Sequence, residues 1–426
     1  MNRTDSFNMS LSYSSKAKLF WREAEKYFKQ FRYPESACFY GESIEFATKA
    51  ICMFLGSTPA RKHDISKNLT QLSGRTEFSK YKKQICRAIW ISSRWVGMAQ
   101  RARELMRYGN PDAKMSAAEI ISKKDVEPLK RDAEEICKLL CQVEFERKFK
   151  PSIKLGILNG YVDNSNGLEN PCSEFPFNEF KDISIWRKSF SEIVSQGKNK
   201  YDIKEISVSE VNNEFAVIIN PFGEAYPEKD TATRLAFNIL KDYVADGGIL
   251  VNTAGFPFFY AWNVGGKGKE ALQPVVDEKI FMPLAVKLEE GKVTGVQYRI
   301  GLGFAGSLFW KEFGGVTTVD TDKLSGVNEI EVKQTEEDKK ISGDLINIAG
   351  SNKVSEFRAL RKETRNLIPL LRAERPDFGE VYPIAAVRYG WGCLITCGMH
   401  TKSSAEFERL ISAIDNFCNW AAQNTH

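Results

Sequence analysis

Histidine is nearly absent. Only His63, His400 and His426 occur among 426 residues, too few and too scattered for a histidine-rich metal site. Long apolar runs are also missing: nothing approaches the ~20 residues a membrane-spanning helix needs. The N-terminal MNRTDSFNMSLSYSS lacks the apolar core of a signal peptide. The nine cysteines, an odd number, show no metal-ligand spacing, and Cys393 and Cys397 fit within one strand. This reads as reduced, mostly buried thiols in a cytoplasmic protein. Net charge is scarce too, +5 from 60 Lys+Arg and 55 Asp+Glu, so bulk electrostatics do not compel a nucleic-acid partner. No internal repeat is visible. No metal, cofactor or membrane partner is expected.

What is present is ordinary globular composition, 42% hydrophobic and 27% charged, in a chain too long for one typical domain. From residue 14 to about 147 strand signal is almost lacking. Ala17–Phe31 carries Leu19, Phe20, Ala24, Tyr27 and Phe28 at helical spacing. A helix over Glu35–Leu55 follows Pro34 and stops at Gly56. A short one near Ile65–Leu72 and a long one over Phe78–Arg107 precede Lys124–Phe145. That last helix puts Val126, Leu129, Ala133, Ile136, Leu139 and Leu140 on one apolar face. Short loops between such helices predict an antiparallel bundle over residues 10–147.

Glu146–Pro151, basic and ending in proline, is the expected linker to a second domain over 153–426. There the period becomes strand-like, in IKLGILNGY and YDIKEISV. Residues 214–260 then read strand, loop, helix, strand and sharp turn, the unit of a parallel α/β sheet. Residues 262–350 read as an irregular insertion with edge strands. Val381–Tyr389 and Cys393–Cys397 are predicted strands around Gly390-Trp391-Gly392, and a helix over Ser404–Ala421 closes the domain. The fold class is therefore multidomain, an α bundle plus α/β.

Ligands of open α/β sheets bind outside the carboxyl ends of the strands. Two segments lie there. Asn220-Pro221-Phe222-Gly223-Glu224-Ala225-Tyr226-Pro227 follows a central strand, and Glu224 and Tyr226 suit a hydroxylated or amine-bearing ligand. The alternative is a rigid turn with the tyrosine packed on its rim. Thr253-Ala254-Gly255 sits where a nucleophile elbow belongs, yet holds no cysteine or serine. Thr253 with His400 is a candidate hydroxyl–imidazole pair, against a threonine bonding its own turn and a histidine lining a pocket. Gly301–Gly306 spells GxGxxG, but only SLFWKEF could follow as a helix, so a flexible connection is favoured over a pyrophosphate site. Arg101, Arg103 and Arg107, with Lys82, Lys83, Arg87 and Arg94 upstream, form a basic helix ridge. It suits phosphate or RNA, or simply a solvated face.

The aromatic helices SSKAKLFWREAEKYFKQFRYPESACFYGESIEFATKAICMFLG resemble the HEPN family of helical bundles. So do Arg61-Lys62-His63-Asp64-Ile65, the Arg107-Tyr108 pair and the closing SKKDVEPLKRDAEEICKLL. The resemblance implies dimerisation through the bundle, and in some members metal-independent RNA cleavage by an arginine and a histidine on the penultimate helix. That helix has Arg101, Arg103 and Arg107 here but no histidine.

KLGILNG, NPFGEAYPE, DYVADGGILVNTAGFPF and IAAVRYGWGCLITCGMH resemble the class I glutamine amidotransferase-like fold, nearest its ThuA-like branches. The resemblance implies a three-layer, mostly parallel, Rossmann-like sheet. It places Thr253 where active members carry the nucleophilic cysteine, although an offset of one would give Ala254. His400 falls at the base and Lys402 where a carboxylate belongs. Together the resemblances imply a ligand-binding or regulatory protein without glutaminase activity, binding an unknown small molecule or nucleotide through Asn220, Glu224, Tyr226 and Gly255. RNA and a partner protein are further candidates, and a bacterial stress or defence system is the expected setting. The alternatives are a ThuA-like hydrolase or sugar-processing enzyme and a HEPN ribonuclease effector.

Overall fold

The computed structural model describes residues 3–59, 65–109, 114–148, 152–159, 183–195, 199–221, 235–253, 260–262, 272–274, 286–289, 292–296, 318–320, 330–354, 358–362, 364, 366–375, 379–399 and 404–424. The chain divides into two compact units, Met1–Lys148 with Asn424–His426, and Phe149–Gln423.

The first unit is helical: α1 (Arg3–Lys29), α2 (Tyr33–Phe54), α3 (Ser66–Ser73), α4 (Lys82–Tyr108), α5 (Ala117–Ile120) and α6 (Lys123–Lys148). Proline at the first turn of α2 costs no hydrogen bond, because that N–H has no partner within the helix. Its far end closes in a Schellman turn. Ser57 N donates to Cys52 O at 2.8 Å and Gly56 N to Met53 O at 2.9 Å, with Gly56 at φ +76°. The predicted apolar face of α6 is buried throughout, with Val126, Ala133 and Leu140 at 0% exposure.

The inward face of α1 differs from its apolar pattern. Leu19 is 45% exposed, while Ser10, Ser14, Ala17, Lys18 and Ala24 are buried. The reason lies on α6. Buried Glu144 accepts from Ser14 Oγ, from Lys18 Nζ at 2.7 Å, and pairs with Lys148 Nζ at 2.6 Å. Burial pushes the Glu144 carboxyl up, but Lys148 and Lys18 overrule it and hold it down at about 2. Burial lowers the Lys148 ammonium from its ordinary value, opposed by Glu144.

The second unit is built on one sheet. Its strands are β1 (Ile153–Leu158), β2 (Tyr201–Ile206), β3 (Val217–Asn220), β4 (Ile249–Asn252), β9 (Thr318–Asp320), β10 (Ile330–Lys333), β11 (Lys353–Val354), β12 (Arg358–Arg361), β13 (Leu367–Arg375), β14 (Gly379–Tyr389) and β15 (Gly392–Cys397). Two small hairpins stand apart, β5 (Tyr260–Trp262) with β6 (Leu272–Pro274), and β7 (Val286–Glu289) with β8 (Lys292–Val296). The main order runs β11-β10-β13-β14-β15-β4-β3-β1-β2, with β12 joining β14 and β9. The helices are α7 (Ile183–Ser195), α8 (Leu235–Ala245), α9 (Glu336–Ser342), α10 (Leu345–Ala349) and α11 (Ser404–Asn424).

The expectation of a mostly parallel sheet is corrected: the sheet is mixed. β15, β4, β3, β1 and β2 are mutually parallel, whereas β14, β13, β12, β10, β11 and β9 pair antiparallel. The Gly390–Trp391 turn is too short for a crossover, so it can only return the chain antiparallel. β13 carries Pro369, a poor strand residue, and the ladder shifts register between Pro369 and Leu371 to accommodate it. β9 and β10, inside the segment read as irregular, both join the large sheet.

Helices clamp the parallel half. Trp186 of α7 meets Phe407 of α11 edge-on at 4.9 Å, and Phe190 packs on Tyr201 at 4.4 Å. α8 ends in a second Schellman turn, where Gly248 N donates to Tyr243 O and Gly247 N to Val244 O, both at 2.9 Å. The Tyr243 ring fills the space a Cβ at Gly248 would need. Its hydroxyl donates to Phe215 O at 3.2 Å, which ties the helix end to the start of β3.

Candidate functional site

Among the parallel strands the order β2-β1-β3-β4-β15 is that of a doubly wound sheet. The order in which the chain adds strands reverses between β1 and β3, which makes their carboxyl ends the topological switch point, where such sheets bind ligands. β1 finishes at Leu158 with exposed Asn159 beyond it, and β3 finishes at Asn220.

At that end the apolar strands turn polar in register. Asn220 of β3 stands opposite Asn252 of β4, and Asn252 opposite Thr396 of β15. In-register partners share a sheet face, so these three form a polar row. All are buried, at 0%, 0% and 3% exposure. Asn220 Nδ2 donates to Asn252 Oδ1 at 2.7 Å, and Asn252 Nδ2 to Thr253 O at 3.2 Å. Residues preceding them, Ile218, Ile219, Leu250 and Val251, are wholly apolar and buried, which makes the change at the strand ends abrupt. Burying amide side chains costs free energy unless their hydrogen bonds are made, and this pair makes them with each other.

Thr253 is 0% exposed. Its amide N and its Oγ1 both donate to Asn220 O, each at 3.2 Å. The hydroxyl hydrogen is thus aimed at the main chain of the neighbouring strand. Cys397 closes β15 one position beyond Thr396 and is also buried.

Asn220 and Thr253 are therefore brought together. Glu224, Tyr226, Gly255 and His400 lie outside the described residues, as do Lys402, the 301–306 glycine run, His63 and His426. Asn252 and Thr396 were missed, because each looks like one polar residue ending a strand. Only register shows them side by side. No cluster of metal-binding side chains occurs among the described residues, and no helix among them is long and apolar enough to cross a membrane. The cysteines described are free thiols.

In the first unit α4 carries Arg101, Arg103 and Arg107, whose side chains lie outside the described set. Upstream the basic ridge is partly neutralised. Arg87 bonds Asp132 and Glu135, each at 3.0 Å, and Arg94 reaches Asp132 at 3.9 Å. Trp95 Nε1 donates to the same buried Asp132 at 2.5 Å. Both arginines also lie over the half-exposed Trp90 ring, at 4.3 and 5.1 Å.

These features define a two-unit protein, a helical domain followed by a mixed-sheet α/β domain. Residues 12–144 match the family model of the HEPN domain, so the helical unit is a HEPN domain. No curated protein matches the chain. Among solved structures it is similar to a ThuA-like protein from Bacteroides uniformis, with 12% identity over 62% of this chain and 91% of that one, at a TM-score of 0.33. It is also similar to beta-galactosidases from G. stearothermophilus and Bacillus circulans, each with 13% identity over 68% of this chain and a TM-score of 0.33. The chain spans 32% and 35% of those two enzymes. Likenesses this slight carry no argument about activity.

Proposed function

We propose that the α/β unit is a ligand-recognition domain of amidotransferase-like ancestry that has given up covalent catalysis, and that the HEPN unit dimerises and contacts nucleotide or RNA. A regulatory subunit in a bacterial stress or defence system is the setting this pairing suits, by analogy with HEPN proteins.

One observation carries the reading. At the elbow position after β4 stands a buried threonine whose hydroxyl donates to Asn220 O at 3.2 Å. A nucleophile needs its proton facing a base, and here it faces a carbonyl. The doubly wound strand order and the buried Asn220–Asn252 pair beside the switch point support binding at that end of the sheet.

Native mass spectrometry of the purified chain, with identification of released small molecules, tests the reading. A bound metabolite is expected, its affinity reduced in Asn252→Leu, with no glutamine-dependent ammonia release. Turnover of glutamine, or hydrolysis of a sugar substrate that disappears in His400→Ala, sinks it in favour of an enzyme.

A further inference from the structure

β2 forms one edge of the large sheet. It pairs with β1 through Tyr201–Ile206 in unbroken register, and no described strand pairs with its outer side. The opposite edge ends in the 2 residues of β11, and the side branch ends in the 3 residues of β9. Edges that short give another chain little to pair with. β2 is 6 residues long and carries neither proline nor bulge.

The direction of its backbone groups follows from the two ends of the ladder. Ile153 N donates to Lys200 O at 2.7 Å, and Asn159 N donates to Ile206 O at 2.9 Å. Alternate residues of a parallel pair bond the neighbouring strand, so Lys200, Asp202, Lys204 and Ile206 turn to β1. Tyr201, Ile203 and Glu205 turn their N–H and C=O groups outward. Arg187 of α7 reaches one of these carbonyls, donating to Ile203 O at 3.4 Å. That exposed bond is long, and a ladder N–H would displace it.

The edge is complementary to a second copy of itself. Antiparallel pairing about a two-fold axis at Ile203 sets Ile203 opposite Ile203, and Tyr201 opposite Glu205. The backbone groups of these pairs already face the partner, so both hydrogen bonds of each pair can form. Asp202 then stands opposite Lys204, and Lys204 opposite Asp202. These are the closer pairs that share no hydrogen bonds, where opposite charges stabilise and like charges repel. Both side chains are exposed, and the pair of Lys204 with Glu210, at 3.3 Å between exposed groups, is weak competition. In-register parallel pairing would instead set each charge beside its own kind.

We propose that β2 is a self-association edge, through which two copies join their sheets antiparallel into one. This contact belongs to the sheet unit and is independent of the dimerisation proposed for the helical unit. The 6 residues a side are fewer than the ~20–30 of a standard interface, so the association should be weak, with a Kd of about a micromolar or more.

Sedimentation velocity of the full chain, over a concentration series spanning that range, tests it. The native chain should show a step of association that Ile203→Pro removes. Proline is tolerated there because the lost N–H faces outward, and it blocks the ladder at its centre. Asp202→Lys and Lys204→Asp should each weaken self-association about tenfold or more. An equimolar mixture of those two variants should associate, because mixed pairing sets acid opposite base at both positions. Both changes in one chain should restore native association for the same reason. These exposed charge changes leave the β1–β2 ladder intact, so the mixing experiment decides even where Ile203→Pro fails to fold. If the helical units also dimerise, the native chain assembles beyond a dimer and the single variants stop there. A native chain with no step of association overturns the proposal, as does a mixture that associates no better than either variant alone. A dimer that persists unchanged in every variant removes this contact and leaves the helical one standing.

Discussion

Two buried charges, Glu144 in the helical unit and Arg409 in the sheet unit, are handled in opposite ways. Both Glu144 oxygens are occupied, one by Lys18 and Ser14, the other by Lys148. Two ammonium groups face one carboxylate there. The excess positive charge sits on the final turn of α6, where the helix dipole is negative. Arg409 bonds two carbonyls and leaves Nη1 without a partner. Lys148 Nζ, at 2.6 Å from Glu144, is like Arg409 Nη1 without a well-directed hydrogen bond, so the cluster is held by charge as much as by aligned bonds. What separates the two is how the charge is met: Glu144 faces two ammonium groups, whereas Arg409 is held by two neutral carbonyls.

The comparison can be broken first at its closed end. Glu144→Gln leaves two buried lysines without an anion, so urea unfolding should show a loss of about 3–5 kcal/mol, or no folded bundle at all. A loss below about 1 kcal/mol would mean that the cluster is wet and mobile rather than closed.

Acid titration sharpens the same point. The Glu144 carboxyl lies at about 2 in the fold against an ordinary 4.5. A depressed carboxyl stabilises above the unfolded value, and that contribution disappears as pH falls from 4.5 through about 2. The shift corresponds to on the order of 3 kcal/mol. Stability measured across this window should fall steeply in the native chain and less in any Glu144→Gln protein that folds.

A steric test follows in the sheet unit. Gly390 adopts φ +58°, and a Cβ there would stand 2.6 Å from Ala245 O. Gly390→Ala should therefore cost about 1–3 kcal/mol by combining strain with a clash. A neutral result in chemical denaturation would show that the β14–β15 turn yields.

Smaller effects belong to the open end. Asn252→Leu strands the Asn220 amide, at about 1–3 kcal/mol, while its larger consequence should be lost ligand affinity. Least affected should be Lys333→Ala. Its exposed pair with Glu374 at 3.1 Å contributes roughly 0–1 kcal/mol, which a double-mutant cycle can check.

Much of this arrangement was legible in the chain. Helical periodicity located α2 and α6, and Gly56 marked a helix end because that turn needs a left-handed residue. β3, α8 and β4 follow one another within 214–260 in the strand, helix, strand order read there. β13 escaped notice because Pro369 argues against a strand unless a register shift absorbs it. The inward face of α1 escaped for another reason: its buried Ser14 and Lys18 look like surface residues until Glu144 is known to lie opposite.

By itself the sequence determined the helical unit and the βα alternation, since both are properties of neighbouring residues and their period. Tertiary structure alone decided which polar groups are buried and whether their bonds are complete. Lys18 meets Glu144 across 126 residues of chain, and Arg409 meets Leu345 across 64. No local pattern records such pairings, because hydrogen-bond saturation is set by what the folded chain brings within about 3 Å.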